Sequence, residues 1–233
     1  TVVATQEAFD TAVACGAPQD RVRVMGLPIH PGFFARGELE GTVKDSTSQA
    51  RAELQLPHEG HVILVCGGGE GMATTLAIAE EVLALPSKPH VLAVAGRNKR
   101  MQTGLEARMK QPGGDRLTAF GFTDRMGTLM RASDVIVTKA GPGTMFEAMA
   151  LGKPLVIADA LPGQEEGNVD LVRNHKVGVV AMDGPKDVAT GVGQLLAPGA
   201  GREELASRAM TLSRPNATRE ISEELLRMGG RRS

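Results

Sequence analysis

The sequence predicts an α/β domain built on a doubly wound, Rossmann-like parallel sheet. Three observations carry that expectation. Apolar runs rich in Val, Ile, Leu and Ala recur at 62–66, 91–95, 117–120, 135–138, 155–158 and 177–181. Segments with helical periodicity separate them, near 73–85, 99–110, 124–132, 144–151 and 168–174, and another follows at 186–197. Two of the runs lead directly into glycine clusters, Cys66–Met72 and Lys139–Thr144, as a strand does when it turns tightly into a helix. Alternating strands and helices mean parallel pairing with helices on both faces, joined by right-handed crossovers.

Before this domain the chain reads strand, helix, strand. Val2–Thr5 is a short apolar run, Gln6–Cys15 has helical periodicity, and Gly16-Ala-Pro18 stops it. Val22–Met25 is the second strand and ends at Gly26-Leu-Pro28. Periodicity is then lost to residue 60, apart from a short helical piece near 48–54. Pro28, Pro31, Gly32, Gly37, Gly41 and the polar run 44–48 read as a connection between domains. The expected division is 1–33 as the end of a first domain, 34–57 as linker, 58–200 as the main domain, and 201–233 as terminal helices broken near Pro215. No internal repeat or low-complexity segment interrupts this order.

With 42% hydrophobic residues among 233, the chain can bury a substantial core. It has six Phe and neither Tyr nor Trp, so base stacking on aromatic platforms is poorly supplied. A net charge of -1 provides no global field for nucleic acid or anionic lipid, and no nucleic-acid partner is expected. Cys15 and Cys66 lie far apart, which argues against a disulfide framework and for a reducing compartment. No apolar run approaches a membrane span, and no signal peptide is visible. The chain opens at Thr1 rather than Met, so it is read as part of a longer protein.

The chemistry is expected at the carboxyl ends of the strands, where parallel sheets place their ligands. Cys66-Gly-Gly-Gly-Glu-Gly-Met72 lacks the Lys-Ser/Thr of an ATP-binding phosphate loop and misses the dinucleotide spacing, because Met72 and Thr74 occupy the third-glycine positions. ATP hydrolysis and NAD binding are therefore disfavoured. Gly69, Glu70 and Gly71 still allow close backbone approach by a ligand, although a tight turn alone would also use glycine. In the second cluster, Gly141, Pro142, Gly143 and Thr144 precede a helix whose free amides suit a phosphate. Thr144 and Glu147 also fit a capping box, with Thr144 as the N-cap. The alternative role for Glu147 is to accept hydrogen bonds from the two hydroxyls of a ribose. Lys139 either neutralises a phosphate or is merely solvated.

Three further positions follow strands. Arg97 in Ala95-Gly-Arg-Asn-Lys99 suits a diphosphate or is a surface arginine. Phe120-Gly-Phe122 offers backbone groups to a base edge. Gln164 and Glu165, in Pro162-Gly-Gln-Glu-Glu-Gly-Asn168, suit sugar hydroxyls, and Asn168 is an expected N-cap for a helix at 169–174. The five histidines show no metal-ligand spacing, and no Ser–His–Asp arrangement can be argued.

Taken together, Gly-Gly-Gly-Glu-Gly-Met, Gly-Arg-Asn-Lys, Thr-Lys-Ala-Gly-Pro-Gly-Thr and Pro-Gly-Gln-Glu-x-Gly-Asn-Val resemble the monogalactosyldiacylglycerol synthases of glycosyltransferase family 28. The resemblance extends over most of the chain, including Thr5-Gln-Glu7 and Gly26-Leu-Pro-Ile-His-Pro-Gly32. It implies a GT-B fold, of which this chain is the C-terminal portion plus the last strand–helix–strand of the N-terminal domain. It implies UDP-galactose as donor, diacylglycerol as acceptor, inversion at the anomeric carbon, and neither cofactor nor metal. Carried over by motif, Gly69–Gly71 and Gly141–Thr144 approach the diphosphate, Glu147 holds the ribose, Phe122 meets the uracil, and Gln164 with Glu165 holds the galactose. The catalytic base is expected in the N-terminal domain, so the 233 residues are expected to bind donor without turnover. The resemblance further implies peripheral membrane association, through the N-terminal part, at a chloroplast envelope or bacterial inner membrane. The rival readings are a UDP-glucose diacylglycerol glucosyltransferase, the peptidoglycan N-acetylglucosaminyltransferase, a UDP-sugar epimerase, and a non-catalytic nucleotide-binding module.

Overall fold

The computed structural model describes residues 1–33, 46–214 and 216–229. Most of the expected linker, and Pro215 itself, lie outside the described residues. The main sheet has six strands: β3 (Val62–Cys66), β4 (His90–Val94), β5 (Leu117–Phe120), β6 (Val135–Lys139), β7 (Leu155–Asp159) and β8 (Gly178–Val180). A two-stranded sheet, β1 (Val2–Val3) with β2 (Arg23–Val24), flanks helix α1 (Gln6–Ala14).

Every pair in the main sheet is parallel, and the spatial order is β5-β4-β3-β6-β7-β8. The chain steps outward from β3 through β4 to β5, then returns to lay β6 on the other side of β3. That reversal opens a crevice between the carboxyl ends of β3 and β6, the place where open α/β sheets hold ligands. The α/β expectation is met. Its strands agree to within a residue or two, because an apolar run covered on both faces needs no alternation to identify it. All five residues of β3 are buried, as a central strand requires.

The remaining helices are α2 (Ser46–Glu53), α3 (Thr75–Leu83), α4 (Lys99–Met109), α5 (Met126–Ala132), α6 (Pro142–Ala150), α7 (Glu166–His175), α8 (Pro185–Leu196), α9 (Arg202–Ser213) and α10 (Ala217–Gly229). Helices α3 and α8 pack together, as do α2 with α5 and α6 with α9. Among the described residues, the core between helices and sheet is mainly aliphatic, with Phe146 fully buried in it and Phe33 and Phe120 packed against it.

Two features hold the domain at its ends. At the amino end of the sheet, the buried Arg51 of α2 donates to Ala132 O (3.0 Å), His58 O (3.1 Å), Gly60 O (3.1 Å) and Asp134 Oδ2 (2.8 Å). Asp134 also accepts from Val62 N at 2.8 Å, so one ion pair ties α2 to the starts of β3 and β6. At the opposite end of the chain, α10 crosses to the β1–α1–β2 unit. Thr218 Oγ1 accepts from Ile29 N (3.1 Å) and donates to Ile29 O (2.9 Å), and Arg23 pairs with Glu224 at 3.2 Å.

Candidate functional site

Helix α6 begins at Pro142, with Gly141 as N-cap and proline in the first turn. Proline suits that place because its missing N–H would have had no intrahelical acceptor. Thr144 is therefore inside the first turn and is not the N-cap. The expected capping box does not form, because the proline starts the helix three residues earlier, with Gly141 rather than Thr144 as the N-cap. Gly141 provides no side-chain cap, so the amides of Gly143 and Thr144 remain available at the positive end of the helix. A Cβ built on Gly143 meets nothing within 4 Å, so the fold itself does not require glycine there.

The first glycine loop faces this helix start across the crevice. Gly71 has φ +74°, and a side chain there would run into the Ala95 carbonyl, so the tight-turn reading accounts for this glycine. Arg97 N donates to Gly69 O at 2.9 Å, which joins the β3 and β4 loops. The Arg97 side chain reaches Glu70 Oε1 at 3.1 Å and lies 4.4 Å above the Phe122 ring, which is 62% exposed. Residues from the ends of β3, β4 and β5 thus form one rim. Its acidic member, Glu70, is tied to Arg97 rather than left free.

Glu147 sits one turn further along α6 and is half-buried. Burial pushes its carboxyl up to about 7. Among the described residues, its side chain has no hydrogen-bond partner. An ionised carboxyl in that setting is costly to the empty protein unless hydrogen-bond donors reach it. Beneath the loops, Thr138 Oγ1 is buried with only a weak interaction with the Cys66 thiol to offset the cost. The Cys66 thiol is itself pushed up to about 12 by burial, so it is no nucleophile.

The polar loop after β7 lies directly beside the second glycine loop, because β6 and β7 are neighbours. Asn168 is not an N-cap: α7 starts earlier, at Glu166, so Asn168 falls inside the helix. Its amide instead donates to Ala140 O at 2.8 Å, across to the second glycine loop. Glu165 is 6% exposed and takes Lys139 Nζ on Oε1 at 2.8 Å and Leu161 N on Oε2 at 2.9 Å. Although its burial acts to raise it, those hydrogen bonds hold the Glu165 carboxyl below the usual carboxylate range. Gln164, next to it, is exposed. In the empty site Lys139 is thus ion-paired to Glu165 and only partly exposed.

Every expected site residue lies on the loops that follow β3 to β7 or on the helices that open from them. The bridges across these loops, Lys139–Glu165 and Asn168–Ala140, had no signature in the sequence. Only the adjacency of β6 and β7 brings their ends together. Among the described residues no cluster of three His, Cys, Asp or Glu side chains could hold a metal ion, and no helix is long and apolar enough to cross a membrane.

Residues 62–183 match the glycosyltransferase family 28 C-terminal domain. Among curated proteins, monogalactosyldiacylglycerol synthase 2, chloroplastic, of Arabidopsis thaliana is 34% identical over 230 residues. That match covers 95% of this chain and 47% of the relative, so the chain spans just under half that protein's length. Among solved structures, WaaG, a glycosyltransferase involved in lipopolysaccharide biosynthesis, superimposes with a TM-score of 0.64 at 14% identity, covering 95% of this chain and 61% of that one. Anabaena Alr3699/HepE in complex with UDP-glucose does so with a TM-score of 0.63 at 16% identity, covering 96% and 62%. At such identities these likenesses show the fold alone, that of GT-B glycosyltransferases.

Proposed function

The chain belongs to glycosyltransferase family 28, and from that premise we propose that it supplies the donor site of an inverting galactosyltransferase acting on diacylglycerol. The observation that carries the donor reading is that one helix, α6, opening from the switch-point crevice, carries open amides at Gly143 and Thr144 and, a turn further on, the Glu147 carboxyl, which has no hydrogen-bond partner among the described residues. One end suits a diphosphate, the other a ribose diol. Galactose as the sugar, and diacylglycerol as acceptor, rest on the 34% identity to a galactolipid synthase. The UDP part is supported further by the shared fold with a UDP-glucose complex.

In this reaction the acceptor oxygen forms a bond to the anomeric carbon while the bond from that carbon to the diphosphate breaks. The acceptor proton leaves to a base, and negative charge collects on the departing UDP. In this reading the first turn of α6 and the Arg97 guanidinium stabilise that charge, and the proposal invokes no metal. We assign the base to residues outside this chain.

Calorimetric titration of the 233-residue chain tests the reading. UDP and UDP-galactose should bind, with UDP-glucose weaker, and Glu147→Ala should remove at least about 1.5 kcal/mol of affinity. No binding of either uridine nucleotide would sink the donor assignment. Equal affinity for the two sugars would sink the galactose assignment alone.

A further inference from the structure

The Lys139–Glu165 pair is the part of the site whose purpose the donor reading leaves open. Three observations converge on it. First, the β6–β7 register slips between Thr138 and Lys139: Thr138 pairs with Ile157 but Lys139 pairs with Asp159. Such irregularities re-aim a side chain at the end of a strand. Second, the Lys139 stem runs between the two glycine loops. Its Cε lies 3.9 Å from a Cβ built on Gly68 and 3.5 Å from one built on Gly141. Third, Glu165 closes the turn that follows β7. Its N–H donates to Leu161 O (3.0 Å), its carbonyl accepts from Asn168 N (3.0 Å), and its carboxylate accepts from Leu161 N (2.9 Å). Both carboxylate oxygens accept hydrogen bonds and the side chain is only 8% exposed, so Glu165 presents little surface to a sugar while Lys139 holds it.

We propose that Lys139 is a positioning residue for the sugar half of the donor, acting through Glu165 to set the 161–165 turn that presents Gln164. This rests on the donor-site reading and refines it. The exposed Gln164 side chain, rather than the buried Glu165 carboxylate, meets the sugar hydroxyls. Lys139 anchors the turn from the floor of the crevice, and Asn168, bonded to Ala140 O, anchors the helix that follows. Without the ammonium, Glu165 would be a buried carboxylate without a counter-charge, and the turn would open to hydrate it. The effect would fall on the sugar, because the uridine and ribose are held elsewhere.

The test compares UDP with UDP-galactose on the wild-type chain, Lys139→Met, Lys139→Arg, Glu165→Gln and the double variant Lys139→Met/Glu165→Gln. The quantity read is the ratio of the two dissociation constants within each protein. Lys139→Met and Glu165→Gln should each shift that ratio against UDP-galactose by about tenfold, while UDP itself changes less than about threefold. The double variant should shift it no further than either single change, because the pair acts as a unit. Lys139→Arg should restore most of the wild-type ratio. Proton exchange at the Leu161 amide, read by NMR, should accelerate in Lys139→Met even though the melting transition stays cooperative. Equal weakening of UDP and UDP-galactose would make Lys139 a plain phosphate contact and overturn the proposal, as would additive losses in the double variant. If Lys139→Met does not fold, the ratios for Lys139→Arg and Glu165→Gln decide: an unchanged ratio in Glu165→Gln overturns the proposal. A wild-type chain that binds neither ligand overturns the donor reading and this inference with it, whereas UDP binding with an unshifted ratio overturns this inference only.

Discussion

The guanidinium of Arg97 lies 4.4 Å above the ring of Phe122, joining the loops that follow β4 and β5. Each residue reads separately in the sequence, one as a diphosphate contact and the other beside a base. In the fold they form one unit with Glu70, and the ring supports the cation from below. An exposed cation–π contact contributes about 0.5–1 kcal/mol.

Arg97→Ala should therefore cost little stability, no more than about 1 kcal/mol in urea unfolding. It should weaken UDP by about tenfold in calorimetry, because a charge-assisted diphosphate contact goes with it. Phe122→Leu should lie between wild type and Arg97→Ala in both measurements. A large stability loss with unchanged affinity would make the unit structural.

Glu147 links stability to pH in a direction set by its carboxyl, which burial raises from the ordinary carboxylate range to about 7. The folded protein keeps this proton over a range where the unfolded chain has lost it. Its contribution is fully favourable below the unfolded value and is lost as pH rises through 7. Glu147→Gln should raise the melting temperature of the empty protein at pH above 7 and change it little in acid. Ribose hydroxyls donate to the ionised form, so UDP affinity should weaken as pH falls below 7, with proton release on binding visible as a buffer-dependent enthalpy. A pH-independent affinity would contradict the assigned role.

Gly143 separates fold from function. It lies in the first turn of α6 and a Cβ there meets nothing within 4 Å. Gly143→Ala should leave the empty protein as stable as before or raise its stability by up to about 1 kcal/mol, since alanine is the better helix former. The same methyl group stands where a diphosphate would approach, so UDP affinity should fall at least tenfold. Undiminished binding would move the phosphate off this loop.

Arg51 and Asp134 lie at the opposite end of the sheet from the site, with their ion pair at 2.8 Å. Arg51→Met removes the cation and leaves Asp134 and three carbonyls with lost partners. The expected cost is about 3–5 kcal/mol by chemical denaturation, with UDP affinity unchanged under conditions where the variant is folded. A change in affinity would show that the amino end of the sheet communicates with the crevice.

The order of strands and helices, the parallel class of the sheet and the loops that carry the site are all legible in the sequence. The reason is local. A strand covered on both faces must be a continuous apolar run, and a loop approached by backbone or ligand must be glycine-rich. Proline in Gly141-Pro-Gly-Thr144 was also there to be read as the helix start, but the stronger Thr-x-x-Glu capping pattern competed with it. What the chain could not disclose by itself is which loops are neighbours. Strand order places β6 between β3 and β7 and β4 beside β3; the first adjacency brings Lys139 to Glu165 and Asn168 to Ala140, and the second brings Gly71 against Ala95. Those contacts join residues whose separation along the chain has no fixed period, since a helix and a crossover intervene. The partners of Glu165 and the isolation of Glu147 were thus decided by tertiary structure: whether a carboxylate is neutralised or left waiting depends on what packs beside it.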